Sequence, residues 1–208
     1  MTQETSFIYL ASQSPRRRQL LEQLGVPLQP LLPNAEGDEP EDAEAIEAVL
    51  PGEAPAAYVE RVTGLKLDAA VARHARRGLT PAPILCSDTT VALGRTIYGK
   101  PQDATDAARM LAELAGQTHR VLTAVALQVG ARRLTAVSVS RVRFAPMSAA
   151  QIEDYVATGE PLGKAGAYAI QGRAAAYVEH IAGSYSGIMG LPMYETARLL
   201  RAAGVLRV

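Results

Sequence analysis

The stretch SPRRR, residues 14–18, crowds three arginines into the opening turn of what reads as a helix. Ser14 is a good N-cap, Pro15 suits a first helical position, and Leu20, Leu21 and Leu24 recur at helical spacing before Gly25. A helix N-terminus already carries partial positive charge, so cations there cost roughly 0.3–1 kcal/mol each when exposed. A bound anion removes that conflict. A strand-to-helix turn offers free backbone N–H groups, Ser12 and Ser14 add hydroxyls, and Arg16 and Arg17 can grip phosphate oxygens in bidentate fashion. The plainer alternative is three solvated arginines on an exposed helix.

Asp88 follows the apolar run ILCS, at what reads as the carboxyl end of a strand, where α/β proteins build their sites. There it could hold a divalent metal or take a proton from water; a turn-forming aspartate is the alternative. Lys66, Lys100 in YGKP and Lys164 in GEPLGKAGAYAIQG could each meet a phosphate or only solvent. Gln171 ends the near-apolar stretch AGAYAIQ, and a partly buried amide needs partners. Its donor and acceptor complement a pyrimidine edge that presents C=O beside N3–H, as uracil and thymine do; bonding to nearby backbone is the alternative.

Other chemistries lack their motifs. There is no G-x-x-x-x-G-K-[ST], and no G-x-G-x-x-G after the first strand. His74, His119 and His180 are scattered without H-x-x-x-H spacing, which argues against zinc. Gly183-Ser184-Tyr185-Ser186-Gly187 is out of register with G-x-S-x-G and reads as a flexible connection. Lys+Arg and Asp+Glu are both 21, so nothing marks a binder of nucleic-acid polymers or acidic membranes, and the arginine cluster suits a small anion. The single cysteine, Cys86, excludes an internal disulfide and reads as a buried thiol. The polar start MTQETSF is unlike a signal peptide, and no apolar run approaches the roughly 20 residues of a membrane span. A cytoplasmic protein is expected.

These residues need elements to carry them. FIYLAS (7–12) reads as a buried strand leading into the Ser14–Leu24 helix, and LQPLL (28–32) as a second strand. Residues 33–55, rich in Pro, Glu and Ala, read as a surface loop or short exposed helix. A long helix is expected over about 56–76, a strand in PILCSDTTVALG, and a hairpin arm in TIYGKP. A helix to Leu114 precedes two long runs, 119–129 and 133–145, which read as an antiparallel pair around Gly130. Ser148 caps a helix to Thr158, a Gly-rich region precedes 175–182, and residues 183–192 read as a loop before a last helix. The mixture predicts an α/β or α+β protein with a mixed sheet, in one domain over 1–208 with an acidic insertion at about 33–55.

Taken together, LASQSPRRRQLLEQLG, SDTTVALGRTIYGKP, AARMLAELAGQTHRVLTAVAL, GEPLGKAGAYAIQG and GSYSGIMGLPMYET resemble, in order, the Maf family of nucleoside triphosphate pyrophosphatases. The resemblance implies hydrolysis of a nucleoside triphosphate to the monophosphate and pyrophosphate, with a divalent cation, Mg²⁺ or Mn²⁺. It implies an elongated mixed β-sheet flanked by helices, with two lobes around a central cleft, like the inosine-triphosphate pyrophosphatases. Asp88 matches the proton acceptor. Arg16, Thr89 and Gln171 match positions that mark the branch acting on dTTP and UTP, and speak against the 7-methyl-GTP branch. Ser12, Ser14, Arg17, Lys66 and Lys100 match positions near the triphosphate or metal. A family glutamate follows the second strand; here Glu36, Asp38 and Glu39 compete for it, with Glu36 taken beside Asp88 as metal ligand. A homodimer fits the family. A nucleotide-binding regulator of septation without turnover is the rival reading.

Overall fold

In the computed structural model, which describes residues 7–35, 38 and 40–206, one long strand organises the chain. This strand, Ile84–Leu93, is numbered β3; β1 (Ile8–Leu10), β2 (Leu28–Pro30), β4 (Thr96–Tyr98), β5 (Thr118–Val129), β6 (Arg132–Phe144) and β7 (Val178–Ala182) complete a mixed seven-stranded sheet. The order is β2-β1-β3-β5-β6-β7, with β4 also on β3. β5 pairs antiparallel with β3 from Ile84 to Ala92, so β1 and β4 must share the other edge. β1 runs parallel there and reaches only Leu85; β4 returns antiparallel from Val91. Between them, residues 86–90 have no ladder partner on that edge, and the sheet is open at that point.

This corrects the placement of Asp88. It lies in the middle of a ten-residue strand rather than at its carboxyl end. The run ILCSDTTVAL stays extended through its polar centre because β5 pairs with it throughout. Only the parallel partner stops early, so the topological opening that α/β folds place at strand ends occurs here halfway along β3.

Strand alternation divides β3 between two faces. Ile84, Cys86 and Ala92 pack toward the helix α3 (Pro55–Arg76), with Tyr58, Val59, Val62, Leu67 and Ala70. Leu85 packs on the opposite face, with Leu20 and Leu21 of α1 (Pro15–Gln23) and Leu199 and Leu200 of α7 (Met193–Ala202). At the far end, Val91 and Val121 join α4 (Ala104–Leu114), α5 (Ala149–Ala157) and the 3-10 turn at Ala165–Ala167. Gly166 holds that turn against β3: at φ +68°, a Cβ there would stand 2.8 Å from Val91 Cγ2. Ser148 and Gln151 form a capping box on α5, as the sequence predicts for that N-terminus.

Of the two forms expected for the acidic insertion, the short helix is present, and it is held in place rather than free. The insertion contains the short helix α2 (Ala43–Glu47) and is stitched to α3 by ion pairs. Asp38 takes Arg77, Glu41 takes Arg73, Glu47 takes Lys66 and Glu53 takes Arg61. The partners descend along α3 as the insertion advances, so the segment is a strap running antiparallel to the helix. Hydrogen bonds from Arg77 and Arg61 hold Asp38 and Glu53 below their ordinary carboxylate values. A depressed carboxylate adds stability present above its unfolded pKa and lost as pH falls through its folded value. The urea midpoint is therefore expected to fall as pH drops below about 4. Asp38→Asn with Glu53→Gln should flatten that dependence; an unchanged slope would mean the strap contributes nothing in acid.

Segment 183–192, read above as a flexible connection, contains a one-turn helix, α6 (Tyr185–Met189), capped by Ser184. Gly190 follows at φ 121°, a backbone state that glycine adopts without a Cβ penalty. Among the described residues, no helix is long and apolar enough to cross a membrane.

Candidate active site

The open edge of β3 is lined from both faces of the sheet. From the α3 face come Asp88, Lys66, Tyr58 and Glu47. From the opposite face come Ser14, Arg16, Arg17, Thr89 and the Met189–Gly190 turn. Lys100, just beyond β4, and Lys164, Ala165 and Tyr168 close the far side. Val91, Val121, Tyr168 and Ile188 make one end apolar, whereas the other end is crowded with charge.

Lys66 is the centre of the charged end. Its Nζ donates to Asp88 Oδ1 at 2.6 Å and to Glu47 Oε1 at 2.7 Å. Lys100 Nζ donates to both Glu47 oxygens, at 3.1 and 3.0 Å. Burial pulls the Lys66 ammonium down, but Asp88 and Glu47 outweigh it and hold its pKa above the ordinary value. Burial likewise pushes Glu47 up, and the hydrogen bonds and charges of Lys66 and Lys100 reverse the sign. Both groups therefore stay charged at neutral pH. Asp88 is 8% exposed, enough to face the cleft while its other surroundings are protein.

The arginines divide their work. Arg18 pairs with Glu22 one turn on, in solvent, and takes no part. Arg17 is anchored three ways: Nε donates to Gly190 O at 2.8 Å, Nη1 to Ser12 Oγ at 3.2 Å and Nη2 to Thr89 Oγ1 at 3.3 Å. Arg16 is anchored once, by Nε to Met189 O at 3.2 Å, which leaves its terminal nitrogens for the cleft. Burial lowers the pKa of both guanidiniums, and for Arg17 the charge of Asp88 works against that. Half-buried cations with no carboxylate in contact are poised for an anion.

The backbone cradle expected at this turn is largely spent. Ser14 N–H donates to Ser12 Oγ, Pro15 has no N–H, and Arg17 N–H donates to the Ser14 cap. Side chains carry the positive charge of the site. Ser12 acts behind Arg17 and does not line the cleft.

One expectation shifts and another lies outside the described residues. Gln171 was expected to be partly buried; it is exposed and does not line the cleft, because the chain turns outward after Ile170. Glu36, expected as the second metal carboxylate, lies outside the described residues, as does Glu39; Asp38 is committed to Arg77. Among the described residues, the carboxylate that meets Asp88 on Lys66 Nζ is Glu47, which the sequence reading did not single out. Its one local signal is Ile46, which packs on the cluster under α3 and seats α2 beside the cleft. Tyr58 completes the seat, its hydroxyl donating to Glu47 O at 2.9 Å. The anchoring carbonyls of Met189 and Gly190 were also missed, since carbonyls carry no sequence signal.

Arg16→Ala tests the free guanidinium. A loss of about 1.5–3 kcal/mol is expected from removing a charge-assisted hydrogen bond, about 10- to 150-fold in kcat/KM for an anionic substrate. A rise in KM at constant kcat means grip on the ground state; an equal fall in kcat and kcat/KM means grip on the transition state. An unchanged kcat/KM would remove Arg16 from the site.

Comparisons with known proteins give the family. The family model described as Maf-like protein matches residues 7–203. A Polaromonas sp. protein named dTTP/UTP pyrophosphatase is 69% identical over 199 residues, covering 96% of this chain and 96% of the relative. Proteins of the same name from Albidiferax ferrireducens and Cupriavidus metallidurans are 67% and 65% identical, covering 96% and 97% of this chain and 98% of each relative. On the model match and on these near-full-length identities, the chain belongs to the Maf family.

Proposed function

We propose that this protein hydrolyses dTTP and UTP to the monophosphate and pyrophosphate. The carrying observation is the pair of carboxylates, Asp88 and Glu47, meeting on Lys66 Nζ in a cleft edged by Arg16, Arg17 and Lys100. The relatives' printed name supplies the nucleotide class. A triphosphate brings about four negative charges, and attack on phosphorus requires that they be neutralised. Arg16, Arg17, Lys66 and Lys100 do so at the charged end, while Val91, Val121, Tyr168 and Ile188 offer the apolar end to the base.

Asp88 accepts the proton of the attacking water. Lys66 keeps Asp88 oriented by its 2.6 Å hydrogen bond and stands ready for a phosphate oxygen. Lys100, released from Glu47 as substrate enters, takes the leaving pyrophosphate. The donor set fits a divalent cation: two carboxylates converge within reach of one ammonium, and hard oxygen donors with substrate phosphates are what Mg²⁺ and Mn²⁺ take. Asp88 and Glu47 would hold it, and when bound it would supply positive charge to the phosphate oxygens.

The test is a panel of nucleoside triphosphates, with Mg²⁺ or Mn²⁺ and with EDTA, read as released pyrophosphate. Metal-dependent release from dTTP and UTP is expected, with loss in EDTA. Binding without release would make the protein a nucleotide-binding regulator, and preference for 7-methyl-GTP would place it in the other branch. Gln171→Glu decides who reads the base. A changed ranking among dTTP, UTP and CTP would give Gln171 that role, despite its exposure; an unchanged ranking assigns it to the apolar end of the cleft.

A further inference from the structure

Arg17 is held by a chain of hydroxyls, and the proton count along that chain is closed. Thr123 Oγ1 donates to Gly187 O at 2.7 Å. Its one proton is then used, so at the 3.0 Å contact with Thr89 Oγ1 it is the acceptor and Thr89 the donor. Thr89 in turn accepts from Arg17 Nη2. Each link has one direction only, from guanidinium to Thr89 to Thr123 to the Gly187 carbonyl. Thr89 has no proton left for a phosphate. Its proton goes to Thr123 and its oxygen accepts from Arg17 Nη2.

Thr123 is 1% exposed, lies opposite Thr89 across the β3–β5 ladder, and stands behind the cleft wall without lining the cleft itself. It also ties β5 to α6, whose exit supplies Gly190 O to Arg17 Nε. We propose that Thr123 is a positioning residue for polyphosphate: it fixes Arg17 from behind, through Thr89 and through the Gly187–Gly190 turn. Of the five N–H bonds of Arg17, three are spent on Gly190, Ser12 and Thr89, and the remaining two are thereby aimed at the anion. Nothing about Thr123 in the sequence marks it, since it reads as one more β-branched residue in VLTAVAL.

The inference rests on the pyrophosphatase reading, so its test uses a readout that survives the failure of that reading: affinity for inorganic tripolyphosphate, by calorimetry, in a double-mutant cycle. Thr123→Val should weaken tripolyphosphate about fourfold to twelvefold, the net worth of one neutral hydroxyl hydrogen bond. Thr123→Ser, which keeps the hydroxyl, should stay within about threefold of wild type. In an Arg17→Lys background, where the amine cannot make the same three anchoring bonds, Thr123→Val should add nothing further. If Thr123→Val does not fold, Thr123→Cys carries the same cycle with a weaker donor. Equal losses in the serine and valine variants, or full additivity with Arg17→Lys, would overturn the proposal and leave Thr123 a packing residue. Wild-type protein that binds tripolyphosphate yet releases no pyrophosphate from dTTP or UTP would count against the reaction alone.

Discussion

Asp88→Asn is expected to lower kcat for dTTP and UTP by about 10³-fold, within the 10²–10⁴ range of a lost general base, with the fold intact. Asparagine has the same shape and still accepts from Lys66, so the 2.6 Å contact and the packing of β3 are kept. It cannot accept the proton of water, and its neutral oxygen is a poor ligand for a divalent cation. Unfolding should change little, because Lys66 retains Glu47 and is not left as an unpaired buried charge. The measurement is single-turnover pyrophosphate release beside a urea melt. Turnover within threefold of wild type, in a folded variant, would remove Asp88 from the chemistry and with it the proposed mechanism.

Glu47→Gln should produce two effects of opposite sign. With divalent metal and nucleotide, kcat is expected to fall by at least about 10- to 100-fold, since even outer partners of a metal site carry that much. Without metal, tripolyphosphate should bind more tightly than to wild type. Glu47 now occupies Lys66 and both hydrogen bonds of Lys100, and a polyphosphate must take over those contacts. Removing the charge frees two cations for the incoming anion. A purely structural role, in which Glu47 only seats α2, predicts weaker binding in both conditions. Tighter metal-free binding with unimpaired turnover would show a competitor for the lysines and no metal ligand.

The opening turn was legible because its conflict is local. Ser14, Pro15 and the arginines sit within one helical turn, and the cost of cations at a helix N-terminus can be reckoned without knowing what lies across the cleft. The long helix α3, the β5–β6 pair and the α5 cap were legible for the same reason: their periodicity or capping is written in adjacent residues. Asp88 was recognisable as chemistry but misplaced along its strand. The length of β3 depends on β5, whose paired residues lie 28 to 44 positions away. Gln171 was misjudged because AGAYAIQ is apolar up to its last residue, and only the turn at Gly172 sends the amide outward.

The strap shows most clearly where local reading stops. Residues 33–55 carry many carboxylates and little apolar pattern, and such a segment alone resembles solvated chain. Its order comes from Arg61, Lys66, Arg73 and Arg77, which are spaced along a different element and bring their partners down in reverse sequence. Which of those carboxylates enters the cleft is therefore a question of register between two segments. Residue types and short spacings were enough to name a family, a candidate anion-binding turn and a candidate reactive aspartate. The meeting of Glu47 with Lys66 and the anchoring of Arg17 came from long-range pairing, because a hydrogen bond or ion pair depends on distance in space and leaves no trace in neighbouring letters.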